Sequence, residues 1–319
     1  MDKQLQLRLF EKMYQIRRFE ETAQEVVYKG EIPGAVHLYI GEEAIATGAC
    51  AAVNDDDYIT STHRGHGHAL AKGARPDKCM AELYGKETGY CKGKGGSLHI
   101  AAPELGMLGA NGIVGAGIPI ATGAGMAAKR LKNGRVTLCF FGDAASNQGT
   151  FHEAINIASA FKLPVVYIIE NNLFGVSCRQ STVRNVDVLS RRADAYGIPG
   201  VTIDGNDVEA VFETVRDAVA HARNGAGPTL IECMTYRWRG HFEGEPEVVN
   251  YRDAEEIKSW KEKCPVKAYR AKLIAQSDVT EDEIAVIESR VDQEISDALQ
   301  FAKDSKFPAL ESALEDIYA

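Results

Sequence analysis

Two short charge-free runs, Val136-Thr137-Leu138-Cys139-Phe140-Phe141 and Pro164-Val165-Val166-Tyr167-Ile168-Ile169, constrain this chain more than anything else in it. Each has the length of one strand and is too short for an ordinary helix. Each stops abruptly on polar residues, Gly142-Asp143 after the first and Glu170-Asn171-Asn172 after the second. Between them, His152 to Phe161 has helical spacing. The pattern recurs at Val201-Thr202-Ile203 and Thr229-Leu230-Ile231-Glu232-Cys233-Met234, with helical spacing over 207–222. Strands that alternate with helices at this interval pair in parallel through right-handed crossovers. A strand covered on both faces reads as a continuous apolar run, as these do. The fold class is therefore α/β, with a central, mostly parallel sheet between layers of helices.

The flanking sequence is largely helical. Residues 5–28, 41–53 and 75–88 have helical spacing, and Ser61-Thr62-His63-Arg64-Gly65-His66-Gly67-His68 reads as a polar, glycine-rich loop. Of the 30 glycines, twelve fall between Gly85 and Gly125. From Val114 to Lys129 the residues are small and apolar, with Pro119 near a helix start, so this helix can approach a neighbour closely. After about residue 250 the chain becomes charged and helical, and Thr280 and Glu283 form a capping box for a helix running to about Ala302. The expected division is an α/β domain over 1–265 and a helical C-terminal extension over 266–319, packed on the same unit.

Composition removes several classes of function. A net charge of −9 argues against a basic nucleic-acid surface and a polybasic membrane patch. Seven cysteines with no C-x-x-C spacing argue against a disulfide framework or a zinc site. With no apolar signal segment after Met1, they point to a reducing, cytoplasmic setting. Leu105 to Ala128 carries no charge over 24 residues, the length of a membrane span. Seven of those residues are glycine and Pro119 interrupts the run, so it reads as a buried small-residue segment.

The chemistry concentrates where the strands end. Asp143 and Asn172 follow successive strands, so a parallel βαβ unit sets them side by side at the carboxyl edge, where open α/β sheets bind ligands. One carboxylate oxygen and one carboxamide oxygen suit Mg²⁺, which takes few protein oxygens and completes its shell with water and phosphate. Gly142, Ala144 and Ala145 add little bulk, leaving backbone N–H groups open to a phosphate. Three histidines in six residues, His63, His66 and His68, do not have the spacing of a helical metal pair and fit hydrogen bonding better.

A G-D-x motif followed some thirty residues later by N-N resembles the thiamine-diphosphate binding motif. Four longer stretches narrow the resemblance: Lys92-Gly93-Lys94-Gly95-Gly96-Ser97-Leu98-His99, Asn111-Gly112-Ile113-Val114-Gly115, Gly142-Asp143-Ala144-Ala145-Ser146-Asn147-Gln148-Gly149 and Tyr236-Arg237-Trp238-Arg239-Gly240-His241. They resemble the α subunit of the two-chain, thiamine-diphosphate-dependent 2-oxo acid dehydrogenase first component, of the pyruvate and acetoin dehydrogenase type. The resemblance runs from about residue 5 to the C-terminus.

The resemblance implies the thiamine-diphosphate-binding fold and specific roles. Asp143 and Asn172 would hold Mg²⁺ by their side chains and Phe174 by its carbonyl. Gly112 and Val114 would meet the aminopyrimidine ring. Ala144 and Ala145 would neighbour the diphosphate, with Arg64 as its cation and His63 as a donor. His241 would lie near the diphosphate and the reacting carbon, and His37 would line the substrate pocket, so His241, His63 and His37 are the candidate catalytic residues. Two departures stand out: Ala144 replaces the family's usual Gly, and His63 replaces its common Tyr. Ala144 adds strain if that position requires a positive φ and is harmless if only its N–H is used. Phe242 occupies the place of the animal enzymes' regulatory serine, so kinase control there is not expected.

The implied partners are a β subunit, in an α₂β₂ heterotetramer, and a lipoyl-bearing acyltransferase that accepts the acyl unit. The glutamate that activates the cofactor would come from the β chain. The substrate would be a small molecule, acetoin or pyruvate, between which the sequence does not choose. Two other readings stand beside this one. A nicotinamide or flavin dehydrogenase is disfavoured because Gly115-Ala116-Gly117-Ile118-Pro119-Ile120 breaks the G-x-G-x-x-G fingerprint. A non-catalytic subunit that keeps the fold draws its only support from Ala144.

Overall fold

The computed structural model describes residues 1–245, 251–276 and 278–316. Residues Pro246 and Glu247 of the acidic segment after His241, and the last three residues of the helical extension, lie outside them.

In chain order the elements begin with α1 (Lys3–Tyr28), α2 (Glu43–Ala51), β1 (Tyr58–Thr60), α3 (Gly65–Ala71), α4 (Pro76–Leu83) and α5 (Gly117–Leu131). The centre holds β2 (Thr137–Gly142), α6 (Gly149–Ala160), β3 (Val165–Asn171) and a small hairpin, β4 (Phe174–Gly175) with β5 (Cys178–Arg179). Then follow β6 (Gly200–Asp204), α7 (Val208–Arg223), β7 (Thr229–Met234), α8 (Ala254–Glu262), α9 (Pro265–Gln276) and α10 (Glu281–Asp304).

Five strands form a parallel sheet in the order β1-β2-β3-β7-β6. Alternate side chains of each strand enter opposite layers, as the pleat requires. Leu138 and Phe140 of β2 join the larger core, under α1, α2 and α7, whereas Cys139 and Phe141 join the smaller one, under α5 and α6. Both sets are buried, which is why these strands carry no polar alternation. Helix α5 reaches the sheet closely because Gly125 lacks a side chain: a Cβ there would stand 2.5 Å from Cγ2 of Val165. Helices α9 and α10 lie against α1, and α10 also packs along α4. No helix among the described residues is long and apolar enough to cross a membrane. The charge-free segment 105–128 is not buried throughout, as its composition suggests: Ile118, Ala121 and Ala128 of α5 enter the interior, whereas Ile113, Val114, Ile120 and Met126 are exposed.

Sequence and structure part company in three further places. The stretch Ser61–His68 is not all loop, because its second half opens α3. Ser61, His66 and His68 are buried and paired instead of exposed. His66 bonds Glu20 and Ser97 Oγ, while His68 bonds Ser61 Oγ and Glu170. Strand β1 is too short and mixed to stand out as an apolar run. The helix expected over 75–88 ends at Leu83, where the chain turns through Gly85 at φ +68°.

The capping box is present as expected: Thr280 Oγ1 accepts from Glu283 N, and the Glu283 carboxylate accepts from Thr280 N. Replacing Thr280→Ala should cost about 1 kcal/mol of stability in urea unfolding. A loss near zero would show that α10 is held by packing alone.

Candidate active site

Parallel pairing of β2 with β3 sets Gly142 opposite Glu170, so the two polar stretches leave the sheet at one place. There a cavity of about 330 Å³ opens above the strand ends. All eleven residues singled out in the sequence line it: His37, His63, Arg64, Gly112, Val114, Asp143, Ala144, Ala145, Asn172, Phe174 and His241. They come from six separate segments, so only the fold brings them together.

At the floor, Asp143 is buried and its Oδ2 has no hydrogen-bond partner. Burial pushes its carboxyl up to about 6, against the pull of the Ala144 N–H. The two asparagines face different ways. Asn171 Nδ2 donates to Glu232 Oε1 within the sheet edge, whereas Asn172 lines the cavity. Asn172 Nδ2 donates to Glu42 Oε1 at 3.1 Å, which fixes the amide and leaves Oδ1 with only a long 3.4 Å contact from Phe174 N. A buried carboxylate oxygen without a donor and an oriented carboxamide oxygen in the same cavity are a donor set that suits a hard divalent cation.

Ala144 is harmless where it stands. It is absent from the positive-φ residues and sits in a short 3₁₀ turn, Asp143–Asn147. Its side chain leans on the β4 hairpin instead: a Cβ on Gly175 would fall 2.7 Å from the Ala144 Cβ. Leu173 and Val176, which flank β4, do hold positive φ, 71° and 54°. Such values are rare for bulky residues and mark a constrained turn.

Two buried guanidinium groups face the cavity. Arg64 donates to the carbonyls of Leu38 (2.7 Å) and His241 (2.8 Å). Arg237 donates to the Val176 carbonyl (2.6 Å) and the Tyr251 hydroxyl (2.7 Å). Among the described residues neither forms a direct ion pair. Burial, with Arg64 nearby, lowers Arg237 to about 10. Buried cations held only by neutral oxygens favour an anionic ligand.

The third group is a cluster of imidazoles. His37 lies 4.8 Å from both His63 and His241, and His63 lies 5.2 Å from His241, measured between ring centres. Burial and the Arg64 cation depress His37 to about 3, His63 to about 2 and His241 to about 4. All three rings are therefore neutral near pH 7. His66 and His68 take no part in the cluster, since their ring nitrogens are used inside the core.

Three contributors are not singled out as site residues in the sequence. Glu42 is fully buried in the cavity wall, and burial together with Glu170 pushes it up to about 8. Glu170 accepts from the Tyr39 hydroxyl and pairs with His68 at 2.9 Å, which anchors the strand end below the floor. Arg237 is the third. The nearest thing to a signal is Gly41-Glu42-Glu43, a carboxylate pair at the mouth of an otherwise apolar helix.

Comparison with known proteins bears on this arrangement. The family model for the dehydrogenase E1 component matches residues 11–311. The chain belongs to the dehydrogenase E1 component family. This E1 family uses thiamine diphosphate. The chain is 47% identical over 310 residues to the α subunit of an acetoin:2,6-dichlorophenolindophenol oxidoreductase from Bacillus subtilis, covering 97% of this chain and 92% of the relative. A Cupriavidus necator protein of the same name is 45% identical over 319 residues, covering 100% and 95%. The pyruvate dehydrogenase E1 component α subunit of Rhizobium meliloti is 39% identical over 312 residues, covering 98% and 89%. The similarity expected from the four sequence stretches thus holds along the whole E1 chain.

Two outcomes follow from this geometry. The unfolded imidazoles take up protons near 6.5, but the folded ones do so only far lower. The unfolded state thus binds more protons between those values. The contribution of the cluster to stability is complete above about pH 6.5 and is lost as pH falls below it. Imidazole C2–H resonances of the three rings should not titrate between pH 8 and 5, and a midpoint near 6.5 would contradict their burial. Separately, Gly175→Ala should destabilise by about 1–3 kcal/mol through overpacking. Adding Ala144→Gly should recover most of that loss, whereas simple additivity would place the clash elsewhere.

Proposed function

We propose that this chain is the α subunit of a thiamine-diphosphate- and Mg²⁺-dependent dehydrogenase that cleaves acetoin and passes the acetyl unit to a lipoyl group on a partner acyltransferase. The observation that carries it is the meeting, in one cavity, of an unpartnered buried carboxylate oxygen, an oriented carboxamide and two guanidiniums without counter-ions. Asp143, Asn172 and the Phe174 carbonyl would hold Mg²⁺. Arg64, His63 and the backbone around Ala144 and Ala145 would take the diphosphate, and Gly112 and Val114 the aminopyrimidine ring. Bound there, the cofactor supplies a carbon nucleophile and an electron sink for cleaving a bond next to a carbonyl.

The chain's own residues position and exchange protons. Asp143 and Asn172 fix the anionic end, so the rest of the cavity faces the substrate. His37, His63 and His241 present neutral imidazoles there, each able to donate or accept one proton at a hydroxyl or carbonyl oxygen. Acetoin is uncharged and carries both groups. Neutral rings suit it without the cost of a buried charge, and the two bacterial relatives named above are acetoin enzymes. Pyruvate is the second reading, favoured by the Rhizobium meliloti relative.

Glu42 and Glu170 are occupied in the cavity wall, so we assign the activating glutamate to a β chain in an α₂β₂ assembly. Exposed apolar side chains on α5 and α6, among them Ile120, Met126, Leu131 and Ile157, offer a surface for that contact. We assign residues 1–265 to the cofactor-binding unit and 266–319 to a helical extension, and place the assembly in the cytoplasm.

Thiamine diphosphate should bind to the assembled protein in a Mg²⁺-dependent manner, followed by circular dichroism, and Asp143→Ala should abolish that dependence. Retained wild-type affinity would remove Asp143 from its role. With an artificial electron acceptor, acetoin should be turned over in preference to pyruvate, and the reverse order would select the second reading.

A further inference from the structure

We infer that His37, His63 and His241 form a transition-metal site, suited to Zn²⁺, at the substrate end of the cavity. It is distinct from the hard-cation site at Asp143 and Asn172. The inference stands on geometry. With Zn–N bonds of about 2.0–2.1 Å and tetrahedral angles, the centres of two ligating imidazoles lie about 5 Å apart. The three centres here are 4.8, 4.8 and 5.2 Å apart, with the rings inclined at 75°, 81° and 57°. One nitrogen from each ring lies within 4.8 Å of the other two. The backbone therefore already holds the rings at the spacing of a three-histidine centre. Ligation requires the rings to turn about their side-chain bonds so that the nitrogens close to the roughly 3.3 Å separation of a tetrahedral centre.

The rings are also free to ligate. His37 Nδ1 is buried with no hydrogen-bond partner. His241 Nδ1 has a single long side-chain contact, 3.4 Å from Arg237 Nη1, which a metal bond would replace. Among the described residues no hydrogen bond engages the His63 ring. Metal binding requires neutral imidazole, and burial already keeps these rings neutral, so no proton need leave an imidazolium near pH 7. Imidazole sets select Zn²⁺, Cu²⁺ or Ni²⁺, whereas the oxygen set at Asp143 selects Mg²⁺, so the two sites divide metals by ligand type. Three protein ligands leave a fourth position open toward the cavity. Arg64 and Arg237 line the same cavity and oppose a dication, so binding depends on the three nitrogens.

The consequence is a metal-sensitive enzyme. Zn²⁺ seated on the three rings would fill the space assigned above to substrate. That inhibitory arm rests on the proposed function, whereas the binding arm does not. The trio also depends on one residue, His63, which stands where the resemblance leads one to expect tyrosine.

The test uses the full chain as isolated with its β subunit, carrying Cys178→Ser to remove an exposed thiol. Titration with Zn²⁺ against a chromophoric chelator, in saturating Mg²⁺ and without thiamine diphosphate, should give one Zn²⁺ per chain. Co²⁺ should take the same place with the intense visible absorption of a tetrahedral ion. His63→Tyr and His37→Gln should each weaken that binding by about tenfold or more. If the protein takes up no stoichiometric Zn²⁺ and shows no tetrahedral Co²⁺ spectrum, the site does not exist. Binding by His63→Tyr as tight as by the parent would equally overturn it, and the parent titration decides even where a variant fails to fold. Zn²⁺ should lower turnover of the assembled enzyme in proportion to occupancy. Binding without inhibition would confirm the metal site and overturn the placing of the substrate on these rings.

Discussion

The parallel pairing of β2 with β3 governs everything else in this molecule. Its register, Gly142 opposite Glu170, releases Asp143 and Asn172 from the sheet at neighbouring points. The strands that make this pairing are buried on both faces, so a slip by one residue would exchange their two sets of side chains between cores of different size. The position of the two oxygen donors is thus specified by apolar packing some distance from them. Glu170 then anchors the strand end through Tyr39 and His68, and Glu42 orients the Asn172 amide. The floor of the cavity is rigid because each of its polar groups is either tied down or left open on one side only.

That rigidity comes with an electrostatic cost. Glu42, Asp143 and Glu170 share one pocket with Arg64 and Arg237, none of these carboxyls pairs directly with either guanidinium among the described residues, and three imidazoles are kept neutral beside them. Burial of unpaired charge is strongly unfavourable, and an anionic ligand with its metal would relieve it. Folding stability has been given up at the cavity for preorganisation, and the paired networks elsewhere carry the fold. The hydrogen-bonded Glu20–His66–Ser97 chain and the Asp57–Arg223 pair are examples.

How much of this is legible in the sequence depends on whether the signal is local. The central strands β2, β3 and β7 and the helices between them announce themselves by uninterrupted apolarity and helical spacing. Asp143 and Asn172 stand out because each directly follows such a strand. Short β1 and the polar helix α3 do not stand out, because hydropathy equates polar with exposed. The histidines of α3 are instead satisfied inside the core by Glu20 and Glu170, 46 and 102 residues away in the chain. Glu42, Glu170 and Arg237 stay hidden for the same reason, since their roles come from partners far off in the sequence. The clustering of His37, His63 and His241 is implied only through resemblance, and the ring spacing emerges from the fold alone. Ala144 presents the opposite case: it departs from the common motif, yet its backbone shows that the departure is harmless.

Under the proposed function, one chain carries both the metal donors and the diphosphate cradle at the β2–β3 edge. Replacing Mg²⁺ by paramagnetic Mn²⁺ and observing the phosphorus resonances of bound thiamine diphosphate tests it most directly. Both phosphorus signals should relax strongly, and Asn172→Ala should remove this effect at cofactor concentrations that still saturate the site. Bound cofactor whose phosphorus signals ignore Mn²⁺, or an effect that survives loss of Asn172 unchanged, would contradict it.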